Sequence, residues 1–149
     1  METKIQKIYT DYSLGFPVII LNAPLVKTRG VWALNVNYNK YQDAALILLA
    51  HKITRITGNE VQFIRKYFQM TYREFAERFS VKHPAVIKWE KKSDNSTDMA
   101  WTTEKDIRLF IIDHISKKAE DLRKLYRALN EEAKSVVKPI EIDSKKMVA

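Results

Sequence analysis

The chain has no cysteine among its 149 residues. That excludes disulfides, thiolate zinc sites and cysteine nucleophiles together. It has only three glycines, all isolated, so no glycine-rich loop is present to cradle a phosphate. Its three histidines, His51, His83 and His114, lie far apart and show none of the short spacing of a helical metal site. Long apolar runs are missing too. The longest, Ala44 to Ala50, is far too short to span a bilayer. The first twelve residues, METKIQKIYTDY, lack the apolar centre of a signal peptide. Asp94, Asp98, Glu104 and Asp106 are acidic enough to attract a cation, but a solvated loop and a helix start account for them with less. The expectation is therefore a non-enzymatic, cytoplasmic protein without metal or cofactor and without a membrane partner.

What remains is a 46% hydrophobic chain with a formal charge of +8. Its composition suits a packed core rather than disorder. The charge is unevenly spread. Residues 1–56 hold seven Lys/Arg against three Asp/Glu, and residues 57–92 hold eight against four, +4 in each case. Residues 93–149 hold eleven of each and are neutral. The densest excess, over 57–92, is where a phosphate-binding surface is expected. RNA or an acidic protein would also answer a basic balance.

Local patterns order the chain. Val18 to Leu21, Leu25-Val26 and Val31 to Val36 predict short strands, with Arg29-Gly30 as a turn. So small a sheet needs support from elsewhere. Apolar spacing predicts a helix over Tyr41–Ile56, a break at Thr57-Gly58-Asn59 and a helix over Glu60–Phe68. Lys91 to Met99 is polar and turn-rich. A further helix is expected to be capped by Thr102 or Thr103. Ile107, Phe110, Ile111, Ile115, Leu122, Leu125 and Leu129 form a long apolar stripe, broken near Ser116-Lys117-Lys118. That stripe is longer than one core requires, so Ile111, Ile115, Leu122 and Leu125 are dimerisation candidates. Pro139 ends the helical potential. The expected organisation is a small β-rich domain over 1–40, a helical domain over 41–134 and a mobile tail over 135–149.

The most informative stretch is Thr71 to Glu90, TYREFAERFSVKHPAVIKWE. Thr71 and Glu74 have capping-box spacing. Phe75, Ala76 and Phe79 fall on one helical face, and Val86 and Trp89 form the inner face of a second helix. Ser80-Val81-Lys82 makes the turn between them. Ala76 is short enough for two helices to cross steeply there. The outer face of the second helix carries Lys82, His83, Pro84, Ala85, Ile87 and Lys88. A helix with a dry inner face and a basic outer face suits the major groove of DNA. The plain alternative is a solvated helix pair. Tyr38 and Tyr41, beside Lys40, are placed either to stack on a base or to pack a helix start.

With those residues in place, Leu49 to Glu90 resembles the helix-turn-helix antitoxins of the MqsA type and their Xre/HigA relatives. The order is a helix, then T-G-x-E-x-x-F-x-R-K at Thr57–Lys66, then the capped helix, then a recognition helix ending in Trp89-Glu90. Tyr12 to Asn22 is similar to the start of that family's small N-terminal domain. The resemblance implies an α+β fold: a β-rich N-terminal domain, free of zinc here, followed by an all-α Xre-type helix-turn-helix domain with a C-terminal helical extension. It implies base reading by His83, Pro84, Ala85, Ile87 and Lys88. Thr71, Tyr72, Arg73, Lys82, Lys91 and Lys92 would then contact phosphates, and Arg65 and Glu90 would form a buried ion pair. Three residues depart from the family: Tyr72 stands where glutamine is usual, Lys82 where a Ser/Thr cap is usual, and Ser80 where the turn glycine is usual. The implied function is an antitoxin and autorepressor that binds operator DNA as a homodimer and holds a cognate toxin. Two other readings stay open: a stand-alone repressor, and a protein-binding adaptor. Val136, Val137, Ile140, Ile142, Met147 and Val148 loosely resemble the apolar extensions by which some antitoxins engage a SecB-like chaperone.

Overall fold

A computed structural model describes residues 1–147; Val148 and Ala149, the end of the expected tail, lie outside the described residues. The chain forms two compact units. One comprises residues 1–48 together with 139–149, and the other residues 49–138.

The first unit is built on a sheet of β1 (Thr3–Asp11), β2 (Val18–Thr28), β3 (Val31–Leu34) and β4 (Ile140–Asp143). Strand β2 is its spine. β1 runs antiparallel along nearly all of it, from Thr3↔Val26 to Asp11↔Val18. β3 pairs antiparallel with the second half of β2, and β4 pairs parallel with the first half. Val18, Ile20, Ala23 and Leu25 are buried, so the in–out alternation slips by one residue between Ile20 and Ala23. The slip falls at Asn22, whose φ of +55° is left-handed, and it joins the two predicted strands into one. Arg29 (φ +52°) and Gly30 (φ +79°) make the tight turn into β3. Two consecutive left-handed residues match the twist of a two-residue hairpin.

Helix α1 (Tyr38–Ala50) places Tyr41, Ala45 and Leu46 in the core. Tyr41 is buried and donates its hydroxyl to Asp11 at 2.7 Å. Burial first, and the adjacent carboxylate second, push its phenol well above the ordinary tyrosine range. Asp11 also accepts from Ser13 N and Oγ, so one carboxylate pins the loop after β1. Tyr41 is therefore a packing residue, and Tyr38 meets it edge-on.

The second unit holds α2 (Gly58–Tyr67), α3 (Tyr72–Arg78), α4 (His83–Glu90), α5 (Trp101–Ile115) and α6 (Ala119–Ala128). Two isolated bridges, Thr54↔Lys134 and Thr57↔Ser96, tie its loops. Thr57 caps α2 through a complete capping box with Glu60, so the predicted break is a helix start. α5 starts at Ala100 without a side-chain cap, earlier than Thr102 or Thr103.

The expected fold class and domain limits need correction. The chain is mixed α/β, with its helices lying in sequence between β3 and β4, rather than a β-rich domain followed by an all-α one. Residues 140–147 are no mobile tail. Ile140 and Ile142 pair on β2 and are buried, as is Met147 after the 3-10 turn Ser144–Lys146. Ile-Glu-Ile is a half-buried strand pattern, but four residues are too few to announce a strand without its partner. Ending the chain after Lys138 is expected to strip two buried isoleucines, each worth about 1.5–3 kcal/mol. Hydrogen exchange should then accelerate at Val18–Leu21, and the melting temperature should fall. Unchanged protection of those amides would count against β4 as part of the sheet.

Candidate DNA-binding surface

The surface rests on α3 and α4 and on what holds them. α3 opens with a complete capping box: Glu74 N donates to Thr71 Oγ1 at 3.1 Å, and Thr71 N to Glu74 Oε1 at 3.0 Å. Those bonds hold the Glu74 carboxyl below its ordinary range. Phe75, Ala76 and Phe79 on α3, with Val86 and Trp89 on α4, are buried as their spacing requires. Val81 N closes the turn onto Ala76 O at 2.9 Å. At its centre Ser80 has φ +58°, a conformation that glycine adopts at less cost.

Behind the pair stands α2. A Cβ on Gly58 would lie 2.3 Å from Trp89 O and 2.9 Å from Ser93 N, so the start of α2 meets the end of α4 backbone to backbone. Arg65 fixes the same junction. Its Nε donates to Glu90 Oε2 at 2.7 Å, its Nη2 to Glu90 Oε1 at 3.1 Å and its Nη1 to Met70 O at 3.0 Å. Both side chains of the pair are under a tenth exposed. The bonds to Glu90 raise the already high Arg65 pKa. Tyr72 lies with its ring 4.2 Å from the Arg65 guanidinium carbon. One arginine thus binds α2, the turn before α3, the first residue of α3 and the last of α4.

The outer face of α4 presents Pro84 and Lys88 as exposed, and His83, Ala85 and Ile87 as half-buried. Lys82 occupies the N-cap without capping, and Pro84 sits in the first turn, where its missing N–H leaves no bond unmade. Among the phosphate candidates Thr71, Tyr72, Arg73, Lys82 and Lys91 are exposed. Lys92 is half-buried and already paired with Asp98 at 3.5 Å. Thr71 Oγ1 is committed to the cap and Tyr72 to Arg65. Among the described residues Arg73, Lys82, Lys88 and Lys91 have no ion-pair partner, so four cations surround one groove-sized helix.

The four acidic residues with possible cation affinity are not gathered. Glu104 is fully buried, Asp106 pairs with Arg78, Asp98 with Lys92, and Asp94 accepts from Asn59. Two dimerisation candidates, Ile111 and Leu125, are closed into the core of their own unit. Ile115 and Leu122 are half-buried. The apolar stripe was read as surplus to one core, but five helices consume most of it. Of the proposed chaperone-engaging residues Ile140, Ile142 and Met147 are buried, whereas Val136 and Val137 are exposed.

A buried charge network escaped the sequence reading. Glu104 accepts from Arg55 Nε at 2.7 Å, from Ile56 N at 3.2 Å and from Arg108 Nη2 at 2.7 Å. Arg108 also donates to the carbonyls of Lys52 and Thr54. Burial lowers its pKa, against the opposing pull of Glu104. Lys52 pairs with Glu60, the capping residue of α2, at 2.7 Å. The only sequence signal was Glu104 and Arg108 four apart on an apolar helix. No family model, curated protein or solved structure matches the chain.

Replacing Glu90 by alanine leaves Arg65 buried and unpaired, so Glu90→Ala should cost roughly 3–5 kcal/mol in chemical denaturation. The double change Arg65→Met with Glu90→Leu should recover much of that loss; an unshifted Glu90→Ala curve would place the pair in solvent. Ser80→Gly should stabilise by up to about 1 kcal/mol, because the relief of left-handed strain exceeds the added freedom of the unfolded chain. A loss of stability there would mean that Ser80 makes a contact worth more than its strain.

Proposed function

We propose that the protein is a sequence-specific DNA-binding antitoxin and transcriptional autorepressor of a type II toxin–antitoxin system, acting in the cytoplasm and neutralising its toxin by direct binding. The observation that carries the DNA reading is α4. Its inner face and its last residue are clamped by Trp89, Val86 and the Arg65–Glu90 pair, while Lys88 and Pro84 stand free outside. A rigidly held helix with free cations around it can enter a major groove without rearranging. Lys88 donates to guanine O6 or N7, His83 to an acceptor, and Ala85 and Ile87 pack against a thymine methyl. Arg73, Lys82 and Lys91 hold the backbone and set register. The antitoxin part rests on the family resemblance of 49–90. No helix among the described residues is long and apolar enough to cross a membrane.

One such module buries only about 600–1,000 Å² on DNA, so the operator is read by two copies on a palindromic site. Ile115 and Leu122 are the part of the apolar stripe left to meet a second copy. Changing both to glutamate should give a folded monomer that binds operator weakly; light scattering that finds the unaltered protein monomeric at micromolar concentration would remove the dimer from the reading.

Lys88→Ala should weaken binding to the DNA upstream of its own gene by about 1–3 kcal/mol and leave the melting curve in place. Arg73→Ala should weaken operator and scrambled DNA alike and lower the salt slope by about 0.9. Unchanged operator affinity in the Lys88 variant would show that this face is not the reader.

A further inference from the structure

Among the described residues no strand pairs with the outer edge of β1. Every residue from Thr3 to Ile8 is exposed, and Ile5 and Ile8 are 73% and 59% exposed. Nine residues long, it contains no proline to blunt it. Lys27 N donates to Glu2 O at 2.9 Å, so Glu2 belongs to a hydrogen-bonded pair with β2. In an antiparallel ladder such pairs alternate. Lys4 and Gln6 therefore turn their N–H and C=O towards β2, and those of Thr3 and Ile5 point outward, unpaired along the edge. Lys4, two residues from Glu2, holds its Nζ 4.4 Å from the centre of the Trp32 ring, whereas among the described residues Lys7 has no ion-pair partner and no acidic residue within three positions.

From these features we infer that β1 is a docking edge for an extended, acidic strand of a partner protein. The chemistry selects that occupant. Outward N–H and C=O groups bond another backbone, exposed isoleucines cover its apolar side chains, and Lys7, without an acid beside it, favours a carboxylate opposite. A second copy brings two lysines against one glutamate along the same edge, and lysine in an edge strand is a device against self-pairing. Nucleic acid would satisfy the lysines but not the isoleucines or the free edge. The inference rests on the reading of the protein as one that holds a protein partner, and it names the surface and the charge of what is held.

The test is an NMR titration of the full chain with a capped Val-Glu-Val-Glu-Val-Glu-Val peptide, beside its lysine counterpart. Addition of the acidic peptide to millimolar concentration should shift the amides of Thr3 and Ile5 and slow their exchange; the lysine peptide should do neither. Ile5→Pro removes one outward N–H without touching the ladder to β2, and it should weaken binding roughly two- to tenfold, the size of one lost hydrogen bond. Lys7→Glu should remove the preference for the acidic peptide. Equal binding of both peptides, no shift with either, or full binding by the Ile5→Pro variant would overturn the inference. Sedimentation in which the unaltered protein self-associates and the Ile5→Pro variant does not would assign the edge to a second copy and overturn it as well. Operator binding by the Ile5→Pro variant should stay unchanged, so this result and the DNA reading stand or fall separately.

Discussion

A single guanidinium governs the geometry of the helical pair. Arg65 meets both carboxylate oxygens of Glu90 and the carbonyl of Met70, and Tyr72 covers its face. The two oxygens fix an angle as well as a distance, because a bidentate pair has only one planar solution. Lysine at 65 would keep the charge and lose that angle. The pair sits at the end of α4 away from its free N-terminus, so the clamp grips the helix without occupying the face that is offered. Gly58 serves the same junction by having no side chain to hold the backbones apart.

The other charges inside this unit do a different job. Lys52, Arg55, Glu60, Glu104 and Arg108 are largely withdrawn from water, where desolvation opposes their attraction. They earn their place by hydrogen bonding backbone that has no ladder. Residues 51–57 run without regular structure, and carbonyls of Lys52, Thr54 and Arg55 are met by Arg108 or Lys52 side chains. Thr54 Oγ1 is the one buried side-chain polar atom among the described residues without a partner. The network thus substitutes for secondary structure in a segment that must turn between helices.

How much of this was legible depends on how local each signal was. The α3–α4 pair could be read because its cap, turn and inner face lie within twenty consecutive residues and each constrains the next. The break at Thr57-Gly58-Asn59 was carried two residues too far because glycine follows Thr57, although Glu60 completes a capping box that starts α2 at Gly58. The first part of β1 drew no strand reading because Thr3 to Ile8 are all exposed and no alternation marks them. β4 was read as tail because its evidence is two isoleucines whose partners, Val18 and Ile20, lie at the other end of the chain. The apolar stripe showed its helical period but not its use: periodicity says which residues share a face, and only packing says what that face meets.

The sheet also carries a clock. Its spine, β2, leaves the ribosome before the helices, with β1 and β3 close beside it in sequence. The strand that flanks its first half follows the helices, with Ile140 facing Val18 across the whole helical stretch. The helical unit, residues 49–138, is fully synthesised before that strand exists. Such long-range parallel pairing is the slow kind, since a large loop must close before any contact rewards it. A nascent chain therefore passes through an interval with its helices available and its sheet half-flanked. A chain halted between Lys138 and Ile140 has its helices complete and its sheet unfinished.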